Sequence, residues 1–364
     1  MSKNNNHFVV FGGAGYLGGY LIKRIAEEPN NKITIITRNK SKQILFKGLT
    51  NIYFESNVEN ISKEKINLIN LAYGLDLNMK VTKNLNQKLF NSIMQLCSKN
   101  HVSSIIHVSS VLLSEGNNHL IAKIDKSSAY KFAKSFGEVE INKISKKYNI
   151  PSLVVRSGNI VGPGSIWIMK ICKNLIENKP IATKDSSFFS NATFVENLSD
   201  YIFIKSISLN NNFSIVNYNE FGLRPWNDFI DILAQEIGVK TVKWNSNSLA
   251  NFNVSFVNDI KNTLRVTKKA AVLKFYKGPK SNHKVNAILE YLNVKNLDKK
   301  TKMGIKKIDN DNYPDSQEFE LLKVFMNDEH AHFNQKIVKH NFNYVSNKLI
   351  NWARISGYSS LFSK

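Results

Sequence analysis

Short apolar runs alternate with longer amphipathic stretches through the first part of the chain. Helical spacing of apolar residues follows the first run, from Tyr20 to Ile25, and recurs over Asn84–Ser98 and Tyr130–Tyr148. Strands that alternate with helices of this length predict an α/β fold with a parallel, doubly wound sheet. The apolar runs have the length of strands and lie at Phe8–Phe11, Lys32–Thr37, Asn51–Glu55, Ile66–Ala72, Ser103–Ser109 and Ser152–Val155.

Three glycines directly follow the first apolar run, in the segment FVVFGGAGYLGG. Gly12 allows a sharp turn, Gly15 lets the backbone approach a pyrophosphate, and Gly18 lets the helix lie close to the sheet. The helix N-terminus, at Tyr16 and Leu17, offers N–H donors and a partial positive charge. A glycine turn between a strand and a helix predicts a dinucleotide site.

The alternation of strands and helices ends near residue 165. Beyond this point the chain has longer helical stretches, asparagine-rich loops and isolated strand fragments such as Asn212–Val216. We therefore interpret residues 1–165 as an NAD(P)-binding Rossmann domain. Residues 166–364 are interpreted as a smaller C-terminal α/β region that binds or caps the substrate and is partly interleaved with the first domain.

The end of the second strand carries information about the cofactor. An acidic residue at this point accepts the ribose 2′-hydroxyl of NAD, whereas an arginine suits the 2′-phosphate of NADP. The chain has Thr37 and Arg38 here and no carboxylate nearby. The sequence therefore favours NADP over NAD.

Ser110, Tyr130 and Lys134 carry the chemical signal. Tyr130 and Lys134 are four residues apart, so they share one face of a helix. An ammonium beside a phenol favours the phenolate, which makes tyrosine usable as a general acid or base near neutral pH. Ser110 follows the fifth predicted strand, at the carboxyl edge of the sheet where open α/β folds bind ligands. Its hydroxyl can hold the oxygen of a reacting alcohol or carbonyl, and Lys134 can reach a nicotinamide ribose.

Charge adds one open question about partners. The 364-residue chain has 50 Lys and Arg against 28 Asp and Glu, a formal net charge of +22. From Lys261 to Lys307 there are fourteen basic residues and only two acidic ones. We interpret most of them as a solvated surface, with a rim that attracts diphosphates or acidic lipid head groups as the alternative. No nucleic-acid-binding motif accompanies the charge, so nucleic acid is not a predicted partner.

Two further features bear on location and metal binding. No apolar run approaches the ~20 residues that a transmembrane helix needs, and no apolar signal core precedes the first strand. Cys97 and Cys172 have no metal-ligand spacing and cannot form a disulfide framework. We expect a cytoplasmic protein with buried, reduced cysteines and no metal site.

Six segments, in order, resemble motifs of the extended short-chain dehydrogenase/reductases, in the NAD-dependent epimerase/dehydratase family that acts on nucleotide sugars. The six segments are GGAGYLGG (12–19), NLAYG (70–74), HVSS (107–110), YKFAK (130–134), RSGNIVGPG (156–164) and FVENLSD (194–200). The C-terminal half is only loosely similar to the family, in WNDFIDILAQEIG (226–238) and NKLINWARISGY (347–358).

The resemblance implies roles for individual residues. Ser110, Tyr130 and Lys134 correspond to the catalytic serine, tyrosine and lysine, the last two also contacting the cofactor. Ser110 and Asn159 are implied to bind substrate, Asn159 through the asparagine position that often meets a substrate phosphate. The family also implies a homodimer formed through the helices around Asn84 and Tyr130.

Further cofactor contacts come from the same resemblance. The pair after the third strand, usually Asp followed by Val or Ile, lies beside the adenine and is here Asn57 and Val58. Leu71 and Ala72 belong to the NLAYG segment after the fourth strand and are implied to line the cofactor site.

One departure from the family narrows the chemistry. Family members that dehydrate sugars carry an Asp-Glu pair directly after the catalytic serine or threonine, where this chain has Val111 and Leu112. This substitution argues against a 4,6-dehydratase. A 4-epimerase and a ketoreductase or alcohol dehydrogenase remain open, because both need only one tyrosine and a nicotinamide.

Two other functions also remain open. Related extended enzymes act on sterol-like alcohols, and the basic stretch Lys268–Lys280 could hold the protein peripherally against an anionic membrane, where such substrates or lipid-linked sugars reside. A catalytically silent dinucleotide-binding protein is the alternative from another class.

Overall fold

Seven parallel strands form the main sheet of the computed structural model. Their order is β3-β2-β1-β4-β5-β6-β9, and a separate parallel pair joins β7 to β8. The strands are β1 (His7–Phe11), β2 (Lys32–Ile36), β3 (Ile52–Glu55), β4 (Lys65–Asn70), β5 (His101–Ser110), β6 (Ser152–Ser157), β7 (Asn159–Val161), β8 (Ala192–Phe194) and β9 (Phe213–Tyr218). The structure describes residues 5–243, apart from 39, 62, 115–120, 122, 163–164, 166–167, 169–170, 173, 176, 180–191, 219–225 and 237.

Five α-helices and two 3-10 helices are placed among the described residues. Asn78 caps the start of α2 by accepting a hydrogen bond from the Lys80 N–H, and Ser128 caps α3 by accepting one from the Lys131 N–H. The α-helices are α1 (Tyr16–Ala26), α2 (Met79–Lys99), α3 (Ala129–Tyr148), α4 (Val195–Ser208) and α5 (Trp226–Glu236), and the 3-10 helices are Lys40–Phe46 and Val111–Leu113.

Alternate residues of β1, at the centre of the sheet, enter two separate apolar cores. Phe8 and Val10 of β1 pack in one core with residues of α1 and α4, whereas Val9 and Phe11 pack in the other with α2 and α3. Side chains alternate across a strand, so a sheet with helices on both faces needs apolar residues at consecutive positions. This explains why the predicted strands are continuous apolar runs, and it confirms the doubly wound α/β sheet.

The strand order changes direction beside β1. β1 pairs with β2 on one side and with β4 on the other, both in parallel. Ligands of doubly wound sheets bind at such a point, in the crevice at the carboxyl ends of the strands. Phe11 and Asn70, the last residues of β1 and β4, lie in register there.

One strand prediction was wrong in its placement. Asn212–Val216 was interpreted as an isolated fragment, but β9 pairs with β6 and forms the edge of the main sheet. α4, which also follows residue 165, packs on α1 beneath the same sheet. The division at residues 165/166 therefore remains a prediction about which part binds substrate.

Part of the predicted C-terminal region lies outside the described residues, including the basic stretch 261–307 and the segment 347–358. In the part of the chain that the structure describes, no helix is both long and apolar enough to cross a membrane. Cys97 and Cys172 are buried free thiols, and burial raises the pKa of each to about 12.

Candidate active site

The glycine turn after β1 lies against the backbone that follows β4. Gly12 has φ +77°, and a Cβ there would approach the Ala72 nitrogen to 2.9 Å. A Cβ at Gly18 would meet the carbonyl oxygens of Gly12 and Gly13, the former at 2.5 Å. The expected reason for Gly18 therefore changes: it lets α1 start against the turn itself. Among the described residues, a Cβ at Gly15 would meet the Gly12 oxygen alone, at 3.2 Å.

The loop after β4 is held by side-chain amides. The Leu71 N–H donates to the Phe11 oxygen at 2.9 Å, and the Ala72 N–H donates to Oδ1 of Asn70 at 3.1 Å. Asn86 of α2 accepts from the Gly74 N–H at 3.0 Å and donates to the Gly74 oxygen at 2.8 Å. These bonds fix Leu71 and Ala72 beside the glycine turn.

The residues expected at the adenine end follow β2 and β3. Arg38 is exposed just after β2, and Asn57 is exposed just after β3. Oδ1 of Asn57 accepts the Glu59 N–H at 3.0 Å, which closes a turn, while Val58 is buried. Since β2 and β3 are parallel neighbours, Arg38 and Asn57 lie at the same edge of the sheet as the glycine turn.

Lys134 is buried between α3 and β5. Its Nζ donates to the Val108 oxygen at 3.0 Å and lies 5.9 Å from the centre of the Tyr130 ring. Burial lowers the pKa of Lys134 to about 8, although the negative charge of Glu138 raises it. The predicted Tyr–Lys pair thus shares one helix face, and its ammonium lies beside the strand that carries Ser110.

Ser110 is the last residue of β5 and is buried. Its Oγ accepts the Leu112 N–H at 3.3 Å and so starts the 3-10 helix Val111–Leu113, against which α3 packs. The O–H of the same hydroxyl remains a donor that this bond does not use. The structure therefore brings Ser110 and the start of α3 to one side of the carboxyl edge.

A buried ion pair below these residues was missed in the sequence. Glu138 and Arg156 are both fully buried, and Arg156 donates from Nη2 to Oε2 at 2.7 Å and from Nε to Oε1 at 2.9 Å. Ser109 donates to the same Oε1 at 2.6 Å. The network connects α3 to β5 and β6. The sequence signal for this ion pair was Glu138, an acidic residue four positions after Lys134 and on the same helix face.

His107 forms a second buried contact that the sequence did not assign. The Asn70 amide donates to Nδ1 at 3.0 Å, because Asn70 Oδ1 already accepts from the Ala72 N–H. Nε2 has no hydrogen-bond partner among the described residues, and a Cβ on Gly137 would approach it to 2.6 Å. Burial and the Lys134 charge lower the pKa of His107 to about 3. His107 is thus a neutral spacer between α3 and β4.

Asn159 begins β7 of the small second sheet, two residues beyond the carboxyl end of β6. It is half-buried and pairs in register with Ala192 of β8. One residue past Val161, a Cβ on Gly162 would come within 3.1 Å of the Tyr16 hydroxyl. Burial raises the pKa of Tyr16. The start of α1 therefore lies next to the segment that carries Asn159.

Residues 8–187 match the family model described as the NAD dependent epimerase/dehydratase family. No curated protein sequence matches the chain.

Three solved structures illustrate the similarity of the fold. UDP-glucuronic acid 4-epimerase from Bacillus cereus, in complex with NAD, is 16% identical, with a TM-score of 0.53 over 66% of this chain and 86% of that one. The enzyme WbmF from Bordetella bronchiseptica, in complex with NAD+, is 15% identical, with a TM-score of 0.53 over 67% and 82%. UDP-N-acetylglucosamine 4-epimerase from Methanobrevibacter ruminantium M1, in complex with UDP-N-acetylmuramic acid, is 17% identical, with a TM-score of 0.52 over 66% and 86%. At these identities the similarity establishes the fold.

Proposed function

The chain belongs, through residues 8–187, to the NAD dependent epimerase/dehydratase family, and from this premise we propose that it is an NAD(P)-dependent oxidoreductase or epimerase. Its substrate is a secondary alcohol or ketone of a nucleotide sugar. The observation that carries the proposal is the position of Lys134, whose ammonium lies beside β5 and near the Tyr130 ring.

The turn after β1 fits a dinucleotide. Gly15 precedes α1 without a side-chain cap, so the first N–H groups of the helix are left for a ligand. Gly12 and Gly15 have no Cβ that would cover the N-terminus of α1, and the helix dipole favours a pyrophosphate there. Leu71 and Ala72 would form the opposite wall of this dinucleotide site, because their backbone lies in contact with Gly12.

Tyr130 would move the proton of the reacting hydroxyl. The Lys134 ammonium stabilises the phenolate form of Tyr130, which lowers the cost of taking that proton near neutral pH. The Ser110 O–H would donate to the substrate oxygen and hold it toward Tyr130. A bound nicotinamide would supply hydride transfer, which no protein side chain provides.

Epimerisation and reduction differ in how the cofactor is used. An epimerase takes hydride and returns it to the other face, so it must retain its cofactor between the two half-reactions. A reductase exchanges its cofactor after each turnover. The names of two of the three similar structures, the 4-epimerases from Bacillus cereus and Methanobrevibacter ruminantium M1, favour a nucleotide-sugar epimerase, whereas Arg38 favours reduction with NADPH. We propose the epimerase first and the reductase as the alternative.

The cofactor preference can be tested at Arg38. We propose that its guanidinium binds the 2′-phosphate of NADP, a charge-assisted contact that Lys and Ser cannot reproduce in the same way. Arg38→Ser should weaken NADPH binding about tenfold or more relative to NADH, measured by fluorescence titration. The control is Lys23→Ser, which replaces an exposed basic residue of α1. An unchanged ratio of affinities in Arg38→Ser would remove the NADP preference.

We also propose that the enzyme is not a 4,6-dehydratase. Elimination of water needs an acid and a base next to the sugar ring, and the 3-10 helix after Ser110 offers Val111 and Leu112 instead.

The proposed cellular form is a cytoplasmic homodimer formed through α2 and α3. Sedimentation of the purified protein would test whether it is a dimer.

The catalytic assignment is tested with Tyr130→Phe. The purified protein is incubated with nicotinamide cofactors and a panel of UDP-sugars, and products are followed by NMR and by absorbance of reduced nicotinamide. Tyr130→Phe should lose about 10²–10⁴-fold in kcat, the usual share of general acid–base catalysis, while binding dinucleotide normally. Tyr148→Phe, at the end of the same helix, should keep the wild-type rate. A Tyr130→Phe enzyme as fast as the wild type would contradict the assignment.

A further inference from the structure

Tyr73 lies in the loop after β4, three residues past Asn70, and its ring contacts the proposed catalytic pair. The Lys134 Nζ is 4.2 Å from the centre of the Tyr73 ring, closer than the 5.9 Å that separates it from the Tyr130 ring. The Tyr73 and Tyr130 rings meet edge to face, with centroids 5.7 Å apart and an interplanar angle of 84°. Two aromatic rings, one from the loop after β4 and one from α3, thus meet around the Lys134 ammonium.

The Lys134 ammonium needs such a neighbour. Its side chain is 5% exposed, and burial disfavours the charged form. The Val108 oxygen accepts one of its three N–H bonds. An aromatic face attracts a cation through its quadrupole, and the attraction is greater where water is excluded. The Tyr73 ring therefore stabilises the protonated form at a position that has little solvent.

The Tyr73 backbone is held from both sides. The Ala72 N–H before it is bonded to Asn70, and both backbone polar groups of Gly74 after it are bonded to Asn86. A Cβ on Gly74 would come into contact with α2, so the loop lies close to this helix. These contacts fix the direction in which the ring leaves the loop, although the ring itself remains 40% exposed.

We propose that Tyr73 is a positioning residue of the active site, which keeps the Lys134 ammonium charged and in place through its ring face and orients the Tyr130 ring through the edge-to-face contact between the two rings. The phenolic hydroxyl of Tyr73 has no part in this role. The catalytic meaning of the arrangement rests on the proposed function, whereas the arrangement itself can be tested without cofactor or substrate.

The test is an NMR titration of the full-length protein with lysine labelled at the ε-carbon. Lys134→Arg identifies the Lys134 signal, which the Tyr73 ring should displace upfield. Tyr73→Leu and Tyr73→Met keep an apolar side chain but remove the ring, so the Lys134 pKa should fall by about 0.4–1.5 units, the equivalent of one cation–π contact. Tyr73→Phe keeps the ring, so the Lys134 pKa in this variant should equal that of the wild type.

A second aromatic–lysine pair gives a matched control. Lys32 Nζ lies 5.7 Å from the centre of the Tyr53 ring, and Tyr53 is 50% exposed on β3. Tyr53→Leu should leave the Lys134 signal and its titration unchanged. A Lys134 pKa that is unchanged or higher in folded Tyr73→Leu and Tyr73→Met, or one that also falls in Tyr73→Phe, overturns the proposal.

The pH profile of the active enzyme separates this role from a merely structural one. If Lys134 loses its proton at lower pH, the charge that stabilises the Tyr130 phenolate is lost at lower pH as well, so the alkaline limb of kcat/KM should move to lower pH in Tyr73→Leu. Tyr73→Phe should restore the wild-type limb. If neither NAD nor NADP binds, the proposed function fails, but the cofactor-free titration still decides the role of Tyr73.

Discussion

Replacement of Glu138 by glutamine is the most demanding test of how the active-site helix is held. The change is nearly isosteric, so it leaves no cavity, but it removes the negative charge from the fully buried pair with Arg156. The Arg156 guanidinium would then face an amide and the Ser109 hydroxyl, and neither carries a compensating charge. The predicted effect is therefore electrostatic.

The size of the effect follows from the burial of both groups. Breaking a buried ion pair by removing one partner costs about 3–5 kcal/mol, because a charge without its counter-ion is left in a medium of low dielectric. Folded domains are stable by only about 5–15 kcal/mol in total, so this loss is a large share. Since the Glu138 charge also raises the Lys134 pKa, Glu138→Gln should lower that pKa as well.

Urea unfolding followed by circular dichroism measures the change in the free energy of unfolding. Glu140→Gln is the control on the same helix, because its partner Lys143 is 64% exposed and such surface pairs contribute less than about 1 kcal/mol. The double variant Glu138→Leu/Arg156→Met removes both charges and should recover most of the loss. A Glu138→Gln protein that loses no more than Glu140→Gln would refute the reasoning.

Three further predictions concern residues around the same site. Gly18→Ala should weaken dinucleotide binding at least tenfold in a fluorescence titration, because its Cβ would meet the turn oxygens. A Cβ at Gly19 would meet no described residue within 4 Å, so Gly19→Ala should bind normally, and equal affinities of the two variants would contradict this. Gly137→Ala should lower the free energy of urea unfolding by about 1–3 kcal/mol, since its Cβ would press on the His107 ring at 2.6 Å, and an unchanged midpoint would contradict it. His107 has its pKa lowered from 6.5 to about 3 in the folded protein, so its contribution to stability is complete above pH 6.5 and falls as the pH drops toward 3, by up to about 1.4 kcal/mol per pH unit. His107→Gln should flatten this slope in acid unfolding curves, and a slope as steep as that of the wild type would contradict the assignment.

The sheet was largely predictable because both of its faces are covered. Burial on both sides requires continuous apolar runs, and those runs were found within one or two residues of the observed strands β1 to β6. β9 was found as a strand but not as part of the sheet, because a six-residue edge strand carries no signal of its partner. β9 pairs with β6 although residues 158–212 separate the two strands in the chain.

The candidate site was predictable where its residues lie close together in the sequence. Tyr130 and Lys134 are four residues apart, and the glycine turn lies within one segment, so local sequence contains both. Tyr73, Glu138 and His107 were missed because their partners are distant in the chain. Tyr73 meets Lys134 only because β4 and β5 are neighbours, and Glu138 meets Arg156 only because α3 packs on β6.

The most direct test of the central claim is to denature the purified protein, identify any dinucleotide that it releases, and titrate the emptied protein with NADH and NADPH. The account predicts that a nicotinamide dinucleotide is either released or bound by the wild type and is lost in Gly18→Ala. Near one NAD per chain would favour the epimerase and contradict the expected role of Arg38, whereas an empty site that prefers NADPH would favour the reductase. A folded protein that neither carries nor binds either dinucleotide would contradict the proposed function.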